Sequence, residues 1–186
     1  MTPTARPAPR SRLPRGARGG VTILRGIAVC VCLALCGCAD DDPAAAMRHG
    51  DYATSSRLYA ERAASGDVDA RNILGIHYYL GLGVARDYAR AAALFEQAAL
   101  VNHVDAQRNL AIMYMNGYGL PQDNQRAYGW FFQAHSGGNL RARSYIKFLS
   151  DNVTPNAGQK ARLWVEEQIR AHLHGQAAEG AAAPGS

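Results

Sequence analysis

The chain contains little cysteine, and that cysteine is confined to one short stretch. All four cysteines, Cys30, Cys32, Cys36 and Cys38, lie in an apolar run near the start of the 186-residue sequence. A disulfide framework needs cysteines spread across the folded body, and a zinc site needs ligands at helix or loop spacing. Because neither pattern is present, the sequence predicts a fold held by its hydrophobic core, with no metal site and no cofactor.

Acidic residues are missing from the beginning of the chain. None precedes residue 26, whereas six of the 20 basic residues do. From Cys38 onward the counts are 14 basic and 15 acidic residues, a net charge of −1. The formal charge of +5 therefore comes from the leader. Since the rest of the chain has no basic stripe that could follow a phosphate backbone, we expect no binding to nucleic acid.

The first 37 residues are typical of a secretory signal peptide. A basic start precedes about 13 apolar residues, too few for a helix that crosses a bilayer core of roughly 30 Å. A short membrane anchor is the alternative. The end of the run, Leu35-Cys36-Gly37-Cys38, resembles a bacterial lipobox. The resemblance implies cleavage after Gly37 and a lipid on Cys38, and thus a protein anchored in the cell envelope and facing the periplasm. Ala39 in place of an aspartate favours the outer membrane. Residues 38–46 are predicted to form a flexible tether.

A repeat with a period of 36 residues dominates the middle of the chain. Residues 70–105 and 106–141 are identical at 12 positions, and half-repeats on both sides extend the pattern over residues 47–150. A fixed period of about 20 to 50 residues is typical of a solenoid, whose units bury their apolar faces against one another. The repeated residues of the first copy are Ala70, Leu74, Ile76, Tyr78, Gly81, Gly83, Asp87, Arg90, Ala91, Phe95, Gln97 and Ala98.

Each period predicts two helices. Ala70, Leu74 and Tyr78 recur at four-residue spacing as one apolar stripe of the first helix, which Gly81 ends. Asp87 and its counterpart one period later, Asp123, stand where the second helix needs an N-cap. The predicted buried stripe of the second helix consists of Ala91, Leu94, Phe95 and Ala98, followed one period later by Ala127, Trp130, Phe131 and Ala134.

These residues closely resemble the Sel-one-like repeat (SLR), a relative of the tetratricopeptide repeat. The second copy departs from the pattern at Ala111, Leu120 and His135. The resemblance implies an all-α, right-handed α-solenoid of helix-turn-helix units that acts as a protein-binding scaffold and not as an enzyme. The positions that carry the resemblance are Ala70, Leu74, Gly75, Tyr78, Gly81, Gly83, Val84, Asp87, Ala91, Phe95, Ala98 and Ala99.

The repeat register is lost after residue 150. Thr154 and Pro155 are typical of an N-cap and a first helical position. We therefore expect residues 151–174 to include a helix that caps the open end of the stack. Residues 175–186, which are mostly glycine and alanine, are predicted to be disordered.

The resemblance to tetratricopeptide geometry implies that the first helices of successive units line a concave face. Side chains outside the core would project from it in rows, with an apolar centre and a polar edge suited to a peptide or helix of a protein partner. Alternatively, Ile76, Ile112 and Phe148 pack between adjacent first helices. The candidate binding residues are Asn72, Ile76, Tyr79, Arg108, Ile112, Met115, Ser144 and Phe148.

The sequence contains no catalytic signature. Serine nucleophile elbows, phosphate-binding glycine loops and zinc motifs are missing. We therefore expect a non-enzymatic adaptor that binds another protein of the cell envelope. Two alternatives stay open. One is an accessory protein that binds or processes peptidoglycan, with Tyr79 and Tyr118 stacking on the glycan. The other is a periplasmic regulator of a membrane sensor.

Overall fold

The computed structural model describes residues 42–182, and these residues form eight α-helices and no strand. No helix in that range is both long and apolar enough to span a bilayer. The predicted signal peptide and the lipidation residue Cys38 lie outside the described residues. The helices are α1 Pro43–Arg48, α2 Tyr52–Ala64, α3 Val68–Leu80, α4 Tyr88–Leu100, α5 Val104–Asn116, α6 Asn124–Ser136, α7 Ala142–Ser150 and α8 Pro155–Ala182.

The helices stack as repeated pairs. The first helices of the units, α3 and α5, each lie between two second helices: α3 between α2 and α4, and α5 between α4 and α6. Within a pair, alanines alternate with large residues, so the helices approach closely while Phe95 and Phe131 fill the space between units. Both phenylalanines are at most 2% exposed. The predicted all-α repeat solenoid is confirmed.

The helix starts follow the same 36-residue period. At or just before the start of each helix from α2 to α7, a polar side chain accepts a hydrogen bond from the backbone N–H three residues further on. Such bonds satisfy one of the N–H groups that a helix start leaves without a partner. The predicted capping roles of Asp87 and Asp123 are confirmed. The accepting residues are Asp67, His103 and Asn139 for the first helices, and Asp51, Asp87 and Asp123 for the second.

Two of these capping residues also connect neighbouring units. His103 accepts from the backbone of α5 through Nδ1, so its proton lies on Nε2, which donates to Asp69 of α3 over 2.9 Å. One period later, Asn139 donates through Nδ2 to Asp105 of α5 over 2.8 Å. Each first helix is therefore joined at its start to the first helix of the next unit.

The second glycine of each inter-helix turn allows a close backbone contact. Gly83 and Gly119 have φ values of +68° and +69°. A Cβ at Gly119 would overlap the backbone carbonyl of Tyr88, the first residue of α4, and a Cβ at Gly83 would overlap that of Tyr52. The turn after each first helix thus packs on the start of the preceding unit's second helix, which only glycine permits.

The last helix does not occupy the predicted position. Instead of covering the end of the stack at α7, α8 lies across the second helices α6 and α4. Gly129 of α6 permits this crossing, because a Cβ there would lie 2.7 Å from the carbonyl oxygen of Ala161. The indole rings of Trp130 and Trp164 meet edge to face across the same contact. As predicted, the helix begins at Pro155 after a capping hydrogen bond to the side chain of the preceding threonine.

The stack ends because the outer side of α7 is polar. Gln107, Ala111 and Tyr114, three buried residues of α5, are replaced one period later by exposed residues. Because this side of α7 is polar, it needs no further second helix to cover it. The replacing residues are Arg143, Lys147 and Ser150.

Two segments predicted to lack structure are helical. Residues 43–48 of the predicted tether form α1, which packs on α2. Asp42 caps α1 by accepting from two backbone N–H groups, Pro43 supplies the first helical position, and alanines follow. At the other end, α8 continues to Ala182, beyond the predicted boundary at residue 175. Its alanine, glutamine and glutamate residues favour helix, and no proline interrupts it before residue 184.

Candidate functional site

A cleft opens between α3 and α5, the first helices of the two complete units. Its volume is about 270 Å³. Gly75 of α3 helps to shape it, because a Cβ there would lie 2.6 Å from the ring of Phe95, which therefore packs directly against α3. Four of the eight predicted binding residues line this cleft. Its full lining is Ile76, Tyr79, Leu80, Phe95, Arg108, Asn109, Ile112 and Met113.

The apolar side chains of the cleft serve the core and the surface together. Ile76 and Ile112 are half-buried and pack against the main hydrophobic cluster. The alternative role considered for them, packing between adjacent first helices, therefore applies to part of each side chain. Their remaining surface faces the cleft, and Leu80 on its rim is 55% exposed. Leu80 and Asn109 are cleft residues that the repeat pattern did not predict as binding residues.

Arg108 is the charged residue of the cleft. The side chain is half-buried, and its Nε is buried without a hydrogen-bond acceptor among residues 42–182. The neighbouring Asn109 donates through Nδ2 to Asn72 Oδ1 over 3.0 Å. Asn72, a predicted contact residue, is thus buried and occupied in holding α3 to α5.

The other predicted binding residues lie outside the cleft. Met115 packs partly against the core. Ser144 and Phe148 are exposed on α7, where Phe148 shows 64% of its surface. The Ser144 hydroxyl donates to the carbonyl of Arg141, the residue directly before this helix. The structure therefore brings together four of the six predicted residues of α3 and α5, and leaves Asn72, Met115 and the two residues of α7 outside the cleft.

Three tyrosines cluster at one end of the cleft. The ring of Tyr79 lies 5.5 Å from that of Tyr88 and 6.0 Å from that of Tyr118, and the last two rings stack on each other. Burial, followed by the neighbouring tyrosines, raises the pKa of Tyr79 above its ordinary value, which keeps the phenol neutral. Because these rings contact one another, the cluster does not favour the proposed stacking of Tyr79 and Tyr118 on a glycan.

A serine and a histidine approach each other at another place without forming a catalytic pair. Ser56 Oγ lies 2.7 Å from His77 Nδ1, and both atoms lie within hydrogen-bond distance of the carbonyl of Leu82. These side chains are 3% and 0% exposed, so no substrate can reach them. They connect α2, α3 and the turn after α3. Among the described residues, no group of acidic, histidine or cysteine side chains could hold a metal ion.

The period found in the sequence and in the helix pairs is also found by comparison with protein families. The family described as Sel1 repeat matches residues 68–103 and 104–139. Two segments of 36 residues therefore match the Sel1 repeat. Each begins two residues before the boundaries predicted from the sequence, 70 and 106, at the first residue of α3 or α5. The cleft therefore lies at the junction of the two Sel1 repeats.

Solved structures with Sel1-type folds resemble the chain. A protective antigen present in uropathogenic Escherichia coli strains, displaying an SLR fold, is 26% identical with a TM-score of 0.64, over 69% of this chain and 28% of its own. A Sel1 repeat protein from Oxalobacter formigenes is 36% identical with a TM-score of 0.51, over 53% of this chain and 29% of its own. The chain thus spans less than a third of either structure. No curated protein matches the chain significantly.

The Sel1 repeats narrow the range of functions. Proteins with these repeats generally mediate protein–protein interaction, and the fold is typically a non-catalytic scaffold. Repeat folds of this kind present an extended surface, formed by neighbouring units together, on which partners bind.

Proposed function

We propose that this chain is a non-enzymatic adaptor that binds a protein partner through the cleft between its two Sel1 repeats. The observation that carries the proposal is the cleft itself, where partly exposed apolar side chains surround one arginine. Small apolar pockets with a few polar groups are typical of sites that anchor a partner's side chain. Helix α8 packs on α6 and α4, so it leaves the cleft between α3 and α5 open.

We also propose that the adaptor is anchored to the bacterial cell envelope by lipid on Cys38 and faces the periplasm from the outer membrane. The support is the sequence: a basic start, an apolar run and a lipobox-like end. Lipid chains contribute about 0.8 kcal/mol per buried methylene, so several chains hold a protein firmly in a membrane. The partner is then another protein of the envelope.

A photocrosslinking experiment tests the binding face. A photoreactive amino acid replaces Leu80 at the cleft or, as a matched control, the exposed Gln97 of α4. After illumination of intact cells, the Leu80 variant should yield a defined crosslinked protein, identified by mass spectrometry, that the Gln97 variant does not yield. Equal products from both positions, or none from either, would contradict the proposal. A crosslink to the periplasmic domain of a membrane sensor would identify the adaptor as a regulator.

Metabolic labelling tests the anchor. Labelled palmitate should enter the wild-type chain and the Cys36→Ser variant, whereas the Cys38→Ser variant should take up none and leave the membrane fraction. Label that persists in the Cys38→Ser variant would rule out lipidation at that residue.

A further inference from the structure

Arg108 has no ion-pair partner in the part of the chain that the structure describes. Within residues 42–182 its guanidinium forms no ion pair, and its buried Nε has no acceptor. A buried donor of a charged group without an acceptor costs free energy until an acceptor arrives. The planar guanidinium is well suited to a carboxylate, which it binds through two parallel hydrogen bonds.

The acidic residues of the neighbouring first helices are already occupied. Asp69, the one acidic residue of α3, binds His103, and Asp105, the one acidic residue of α5, binds Asn139. No acidic residue occurs within α7, which carries an exposed arginine and lysine. No carboxylate of α3, α5 or α7 is therefore available to pair with Arg108, so the site can accept one from a partner.

The apolar part of the cleft limits what accompanies that carboxylate. Its volume of about 270 Å³ lies below the range of roughly 300–1,000 Å³ that is usual for whole small-molecule ligands. It suits one or two bulky side chains, which would lie between Ile76 and Ile112 on the buried surface of Phe95. The leader of this chain does not fit, since its first 25 residues contain six arginines and no acidic residue.

We infer that the cleft binds a segment of another protein in which a bulky aliphatic or aromatic residue stands near an aspartate or glutamate. The apolar side chain enters the cleft and the carboxylate pairs with Arg108. This inference depends on the proposed function, because it specifies the chemistry of the partner at the same site.

A library of random short peptides displayed on phage tests the inference with a defined probe. The library is selected against the full wild-type chain, and one synthetic peptide from the enriched sequences is titrated by calorimetry. The peptides should carry an acidic residue near a bulky apolar one. Arg108→Gln should weaken binding roughly 10- to 100-fold, the loss expected for one charge-assisted contact. Arg143→Gln, at an exposed arginine of α7 outside the cleft, is the matched control and should bind as the wild type does. Circular dichroism verifies that both variants keep the wild-type helical content.

The outcomes separate this inference from the proposed function. If peptides are enriched but lack acidic residues, or bind Arg108→Gln as tightly as the wild type, the acidic partner is wrong while peptide binding stands. Equal weakening by Arg143→Gln would mean general charge attraction and would also overturn the inference. If no peptide is enriched, both the peptide-binding cleft and its specificity fail.

Discussion

Replacing Gly119 by alanine should destabilise the fold more than replacing a glycine of similar backbone conformation elsewhere. Gly119 has a φ of +69°, and a Cβ there would overlap the backbone carbonyl of Tyr88. Gly50 has a φ of +78° with nothing within 4 Å of its Cβ position, and is the matched control. The left-handed conformation costs an alanine about 1–2 kcal/mol at either site.

The difference between the two variants measures the close approach. Backbone cannot rotate away as a side chain can, so Gly119→Ala must separate the turn after α5 from the start of α4, at a further cost of about 1–3 kcal/mol. Urea denaturation followed by circular dichroism should give a loss of about 2–5 kcal/mol for Gly119→Ala and about 1–2 kcal/mol for Gly50→Ala. Equal losses would refute the idea that the second glycine of the turn is required for contact between units.

Three further predictions concern other contacts. His103→Ala should lower the free energy of unfolding by about 1–2 kcal/mol, whereas His103→Asn, which copies the bonds of Asn139, should lose less than about half of that; denaturation midpoints compare the two. Gly129→Ala should displace α8 and destabilise by about 1–3 kcal/mol. Gly175→Ala, a control within α8 itself where no atom lies within 4 Å of the Cβ position, should be neutral or stabilising. Unchanged tryptophan fluorescence in Gly129→Ala would contradict the predicted displacement of α8. Because the pKa of Tyr79 is raised in the fold, the unfolded chain ionises first as pH rises past about 10. The contribution of Tyr79 to the free energy of unfolding should therefore be complete below that pH and fall above it. Between pH ~9 and ~11, the free energy of unfolding of Tyr79→Phe should fall less than that of the wild type.

Local chemistry explains why much of the fold could be predicted. The helical period, the capping aspartates and the turn glycine Gly81 act within a few residues, so their effects are visible in the sequence. The close contacts of Gly83 and Gly119 could not be predicted, because their contact partners lie more than 30 positions earlier in the chain. The short helix α1 did have a local signal, aspartate followed by proline, but the run of charge before it suggested a tether.

The site could be predicted only as far as the repeat extends. The row positions of α3 and α5 predicted that Ile76, Tyr79, Arg108 and Ile112 share a groove, and all four line the cleft, while their role in binding stays a prediction. The same rule also included Phe148, which lies on α7, one unit beyond the two first helices that form the cleft. The rule also predicted that the side chain of Asn72 is available to contact a partner, although Asn109 of the next unit donates a hydrogen bond to it.

The polar outer side of α7 has a consequence for how such molecules change in size. Neither α1 nor α7 takes part in the contacts between α3 and α4, so another copy of that pair could be inserted ahead of α3 without changing the helices at either end of the stack. Each inserted copy would lengthen the stack by roughly the 8–10 Å that separates packed helices. It would also create one more cleft like that between α3 and α5. The reach of the molecule can thus grow in fixed steps by gene duplication, without any redesign of its ends.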